Sequence, residues 1–438
     1  MKARLIPLFF KSGMDDDYRE QLVRLQNLFG QDAEFYEPVP LGSPLPDCDA
    51  VIFPQILGDA YRQISDLAKI RVPFLVVTSE FGTVNMWDWE IVSYLKAKGL
   101  TVFAPYTRDL TAKIIRSLAL KRDLPGTKFL VFQDTPGEGM QGSIFKRFYW
   151  WEDECARRIQ EAYGISIIKK SFKEFGAAAK IIPDSEAEKV WKQWNLPTEG
   201  ITRDDLYKSV KIYIALKREI ASDPLIRAAG INCLNESFYS DTTPCLAWNM
   251  LYEEMGLVWA CEGDTVALLT MYLVAKTLHE PFMMSNIYPF LMGMAALKHE
   301  KINHFPAVDE PDNHLLVAHC GYLGVLPKCF STQWTLRPPV LAIVDEHSTA
   351  IDARLPTGAV TLVKLDSTLA KLLVIEGELT SYAQYPGSDC RNGAVIKVRD
   401  GHRMMERVSS HHTIIVTGHR APELRIVSST LGLAIDEV

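Results

Sequence analysis

Glu262 and Asp264 flank Gly263 directly after the apolar run 257–261, and a second apolar run starts at Thr265. The second run is too long and too rich in Leu, Met and Ala to be a strand, so it is read as a helix. Two carboxylates therefore stand where a strand ends and a helix begins, the edge at which open α/β sheets bind ligands. Asp264 or Thr265 can also cap that helix by accepting a backbone N–H, the plainer task for a single acid there. Further polar groups fall at expected strand ends: Glu236 or Asp241, His319, and the pair His411–His412. Carboxylates and imidazoles without thiolate ligands suit a hard-to-borderline divalent ion such as Mn²⁺ or Mg²⁺. Cys261 and Cys320 lie beside these groups and are read as small buried thiols. For the histidines, the alternative is a strand end satisfied by hydrogen bonds.

A second motif competes for the chemistry. Gly137, Gly139 and Gly142 have GxGxxG spacing between a strand over 129–132 and a helix running through 150–163. Such glycines let a phosphate approach a helix N-terminus, and the same spacing serves a tight turn with close helix–sheet packing. The next strand, 165–168, ends in Lys169-Lys170-Ser171 without an acid for a ribose. Lysines there suit a 2′-phosphate, so an NADP-dependent oxidoreductase is the alternative enzyme reading.

The elements that position these residues alternate. Strands over 4–10, 49–54, 73–78 and 101–104 interleave with helices over 16–29, 60–68, 89–98 and 110–120, which implies a parallel sheet covered by helices. A second α/β unit starts at Lys128, after the linker 121–126. It includes two charged helices over 183–222, strands over 228–233, 281–286 and 315–318, and a helix over 245–255 stopped by Gly256. From about Pro339 the texture turns to short β-runs, 340–344, 359–365, 371–378 and 394–398, with turn signals between them, as in a small barrel or sandwich. The domains expected are 1–125, 126–338 and 339–438, with a last helix beginning at Pro422.

With 438 residues, the chain can bury two or three cores. A net charge of −7 argues against a nucleic-acid partner, which needs a basic face. No apolar run approaches bilayer length, so no membrane span is expected. The start of the chain reads as a first strand and not as a signal peptide. The eight cysteines show no CxxC spacing, so neither a disulfide framework nor a zinc knuckle is indicated, and the expected location is the cytoplasm.

Residues 410–433 resemble the closing segment of the L-fucose isomerase family: a metal-ligating histidine, an apolar strand, a Gly-His turn and a helix. By position His412 matches that ligand, with His411 one residue away. Residues 258–285 resemble the same family's strand with an acid-x-Asp motif, a helix and a second strand, with Asp264 at the metal-binding aspartate. Residues 128–175 are similar to the family's second domain, which accounts for the glycine loop without a dinucleotide. The resemblance spans most of 128–438.

This resemblance to L-fucose and L-arabinose isomerases implies two Rossmann-like (flavodoxin-like) α/β domains, then a β-rich barrel domain, with the last helix returning to the second α/β domain. It implies a metal-dependent aldose–ketose isomerase acting through an ene-diol, with Mn²⁺ the expected cofactor and a sugar the substrate. Asp264 and His412 would be ligands, and Glu262 an acid behind them or a further ligand. His319 is added as a ligand from its strand-end position alone. The family's further catalytic glutamate aligns, without gaps, with Trp248; Glu236 and Asp241 lie just before it and could take that role. A chain lacking that base would be a sugar-binding relative without isomerase activity. The resemblance also implies a homo-oligomer, a hexamer, in which Trp87 or Trp89 stacks on a neighbouring subunit's sugar; packing of a helix start is the commoner role for such tryptophans. His411 and Trp248 are the remaining candidates for substrate contact.

Overall fold

The computed structural model describes residues 2–10, 13–55, 57–58, 60–134, 152–233, 237–297, 306–319, 327–339, 346–383 and 392–438. The chain is a mixed α/β protein that divides into two compact units. The first comprises Met1–Leu124, Lys276–Leu278 and Pro422–Gly432; the second comprises the rest.

The first unit is built on a parallel sheet in the order β2 (Ala33–Phe35), β1 (Ala3–Phe9), β4 (Ala50–Phe53), β5 (Phe74–Val76), β6 (Val102–Phe103), with β3 (Val39–Pro40) also on β1. Its strands are apolar on both sides because both faces are covered. Leu5 and Ile52 enter one core with Leu25, Phe29 and Ile114, while Ile6 and Val51 enter the other with Leu67, Val92 and Leu95. Helices Asp16–Phe29, Trp89–Ala97 and Arg108–Asp123 lie where the periodicity places them. Asp15 and Thr107 start two of them by accepting the amides of Tyr18 and Leu110.

The closing helix Ala421–Leu431 departs from expectation. Pro422–Gly432 belongs to the first unit and not to the second α/β sheet. Ile426 packs on the first unit's core, and the Thr430 carbonyl accepts from Lys121 Nζ at 3.1 Å. A helix packs wherever its apolar stripe is best buried, and the sequence pattern shows the stripe without its partner.

The second unit combines a parallel sheet with a barrel. The sheet order is β10 (Val258–Ala260), β9 (Ile226–Ile231), β7 (Lys128–Phe132), β8 (Ser166–Lys170). The barrel is a closed antiparallel ring of β11 (Phe282–Pro289), β12 (His314–Ala318), β17 (Gly393–Val398), β16 (Lys371–Ala383), β15 (Gly358–Leu365) and β18 (His412–Thr417). Outside the ring, β19 (Ala434–Glu437) runs parallel to β16, and β13 (Gln333–Arg337) pairs with β14 (Ala350–Arg354). The expected boundary at 338/339 therefore does not separate sheet from barrel, because β11 and β12 are barrel staves. Closure explains this: a ring without edges needs both of them between β18 and β17. The expected strand over 340–344 lies outside the described residues. Among the described residues, no helix is long and apolar enough to cross a membrane.

Candidate metal centre

β10 ends at Ala260, and Cys261–Gly263 form one tight turn before helix Thr265–Leu278. Glu262 adopts φ 57° and ψ 11° in that turn. The left-handed region is unfavourable for a residue with a Cβ, by about 1–2 kcal/mol, so surrounding contacts must impose it. Glu262 is 5% exposed and Asp264 1% exposed. The strand–turn–helix expectation for the two acids holds, and so does the cap: Asp264 Oδ1 accepts the Ala267 amide at 2.7 Å.

The barrel supplies the other half. His412 opens β18 and is fully buried, with Nδ1 2.8 Å from Asp264 Oδ2 and Nε2 3.6 Å from Glu262 Oε1. Lys364, on β15, is buried and donates from Nζ to the same Asp264 Oδ2 at 2.9 Å. Asp264 thus holds a helix amide, an ammonium and an imidazole at once. His411, with its ring centroid 4.3 Å from that of His412, is the exposed member. Glu262, His411 and His412 each offer a ligand atom, all within 4.8 Å of one another.

Electrostatics follow from this packing. Burial alone would raise both carboxyls, but the positive groups outweigh it. The His412 charge and hydrogen bond, with smaller effects from His411 and His319, bring Glu262 down to about 2. Lys364, His412 and the Ala267 amide hold Asp264 well below the carboxylate range. Burial pushes Lys364 down against the pull of Asp264. Burial also disfavours charge on His412, but Glu262 and Asp264 overcome it and raise its pKa. The protein around His411 and the charge of His412 hold that imidazole below its usual range.

The donor set fits a divalent ion. Two imidazoles and a carboxylate are borderline-to-hard ligands of the kind Mn²⁺ and its neighbours accept. Asp264, its oxygens already engaged by the Ala267 amide and Lys364, also faces His412 Nδ1, a contact that orients the imidazole and leaves Nε2 on the Glu262 side. Lys364 balances that buried charge.

The remaining expected residues lie as follows. His319 is 2% exposed directly after β12, and its charge reaches Glu262. Glu236 and the glycine motif 137–142 lie outside the described residues. Asp241 is at the surface in an ion pair with Lys180 at 2.9 Å. Trp248 is 1% exposed and stacked on Trp259, with interplanar angle 3°, a core environment. Trp87 and Trp89, in the first unit, are 70% and 62% exposed. Lys169 and Lys170 are ion-paired at the surface with Asp153 and Glu219.

Sequence reasoning missed Lys364, Asn286 and Cys233. Asn286 faces His412 across the β11–β18 ladder and donates to the Tyr288 hydroxyl at 3.1 Å. Lys364 had a signal: a lysine inside the apolar run 359–365 needs a buried partner. In comparisons with known proteins, no family model matches this chain, and no curated protein does.

Proposed function

We propose that the second unit carries a divalent-metal-dependent aldose–ketose isomerase. The observation that carries this reading is the convergence of Glu262, His411 and His412, backed by Asp264 and Lys364, on the carboxyl edge of a parallel sheet. The short sequence resemblance to L-fucose isomerases supports the same reading, and we read both parallel sheets as flavodoxin-like.

Glu262, His411 and His412 would hold the ion. A divalent ion supplies Lewis-acid polarisation of the substrate's carbonyl and neighbouring hydroxyl oxygens. The chain's own residues do the rest. Asp264 keeps the His412 ring oriented, and Lys364 keeps Asp264 ionised. Glu262, ionised and largely shielded from water, takes the proton from C2 of the aldose and returns it to C1, while the O2 hydroxyl proton passes to O1. Atoms and charge balance, since the ketose is the aldose with two protons relocated. Trp87 and Trp89, exposed and aromatic, support the further proposal of a homo-oligomer.

The test is solvent-deuterium incorporation at C1 and C2 across a panel of aldoses and ketoses, followed by NMR with added Mn²⁺. Incorporation that disappears in Glu262→Gln supports the isomerase. Tight sugar binding with no incorporation in the wild type would sink it in favour of a binding protein.

A further inference from the structure

Two thiols meet beside the turn that holds Glu262. Cys233 follows β9 by two residues and Cys261 follows β10 directly, on neighbouring strands of the parallel sheet. Both are fully buried, and their Sγ atoms are 2.9 Å apart. The Glu262 amide donates to Cys233 Sγ at 3.4 Å. A disulfide needs the sulfurs at roughly 2.05 Å, so the pair can close with a shift of less than about 1 Å. The sulfur that would form the bond is the one that holds the Glu262 backbone.

We propose that Cys233 and Cys261 are a redox-modification site, closing to a reversible disulfide that locks the Glu262 turn. The oxidant class is a small peroxide. One thiol takes an oxygen from hydrogen peroxide, breaking the O–O bond and releasing one water. The second thiol displaces that oxygen as a second water, and the S–S bond forms. Two thiols are oxidised by two electrons and the peroxide is reduced by two. Thiol–disulfide exchange with a small dithiol reverses the step. The bond ties the ends of β9 and β10 together and removes the thiol from Cys233, so the left-handed turn at Glu262 loses freedom to open. This inference stands apart from the isomerase reading.

The experiment treats the full chain with a few equivalents of hydrogen peroxide, then maps peptides by mass spectrometry with and without dithiothreitol. Cys329→Ser serves as background, removing an exposed competing thiol. The expected product is a Cys233–Cys261 linked peptide, lighter by two hydrogens. Hydrogen exchange over residues 258–265 slows several-fold on oxidation and recovers with dithiothreitol. Cys233→Ser and Cys261→Ala each abolish the link; if either fails to fold, the wild-type map still decides. Overoxidation without a link, or a link that leaves exchange unchanged, overturns the proposal. A parallel Mn²⁺ titration of both forms keeps the two readings separate. A chain that binds no Mn²⁺ yet forms the link and slows its exchange would refute the metal centre and uphold the disulfide.

Discussion

His412 Nδ1 lies 2.8 Å from Asp264 Oδ2, and that oxygen also accepts the Lys364 ammonium at 2.9 Å. Two neighbouring strands of the barrel, β15 and β18, and the helix cap beside the parallel sheet are therefore joined through one buried carboxylate oxygen. Removing the Lys364 ammonium leaves the buried Asp264 carboxylate with His412 and the Ala267 amide but short of one of its two cationic partners. Lys364→Met is expected to destabilise the second unit by roughly 3–5 kcal/mol. The double variant Lys364→Met/Asp264→Asn should recover part of that loss, because no charge is then orphaned. Denaturant unfolding of the four members of the cycle checks this, and strictly additive losses would refute the coupling.

Asp264→Asn alone tests the positioning task. An amide can no longer act as the anionic partner of both His412 and Lys364. Outer carboxylates that orient a ligand typically contribute about 10–100-fold in metal affinity, and a fall of that size in Mn²⁺ affinity is expected. Calorimetry measures it, with circular dichroism as the control for folding. An unchanged affinity would remove Asp264 from the metal centre.

The fold and site were unevenly legible in the sequence. Glu262 and Asp264 were findable because period and composition change sharply at Thr265, fixing a strand–helix junction around them. His411 and His412 announced themselves as adjacent imidazoles before an apolar strand. Lys364 is masked by its surroundings, because the run 359–365 reads as a strand on apolar count alone, and only the barrel register brings it to Asp264. Barrel closure was hidden for the same reason. β11 and β12 come well before the β-rich texture, and long-range pairing leaves no local periodicity. Nor could Trp248 be placed by alignment: its stacking on Trp259 is a tertiary fact.

The first unit offers a pH prediction of its own. Asp88 is fully buried, and burial raises its pKa against the Thr78 hydroxyl and the Leu57 amide, which donate to it. A folded pKa above the unfolded value means the protonated form is favoured by folding. This contribution to stability is present below pH 3.8 and is lost as pH rises through the folded pKa. A ¹³C-carboxyl NMR titration should place the Asp88 midpoint above 3.8, and Thr78→Ala should move it higher still. A midpoint below that value would contradict the account.

Trp87 and Trp89 are exposed at 70% and 62%, so truncating either removes little internal packing. Each single alanine variant is expected to change stability by no more than about 0.5 kcal/mol. If they lie at a subunit contact, each variant lowers the molar mass seen by light scattering. A wild-type chain that is monomeric throughout the accessible concentration range would end the oligomer proposal.

The most direct test of the central claim is Mn²⁺ binding followed by loss of the free-ion electron paramagnetic resonance signal. The variants are His412→Ala, His411→Ala and Glu262→Gln, compared with wild type. The account predicts one ion per wild-type chain, nitrogen coupling from two imidazoles in the bound spectrum, and loss of binding in each variant whose fold is intact. Full binding in all three variants, or a wild-type chain that takes up no ion, would contradict it.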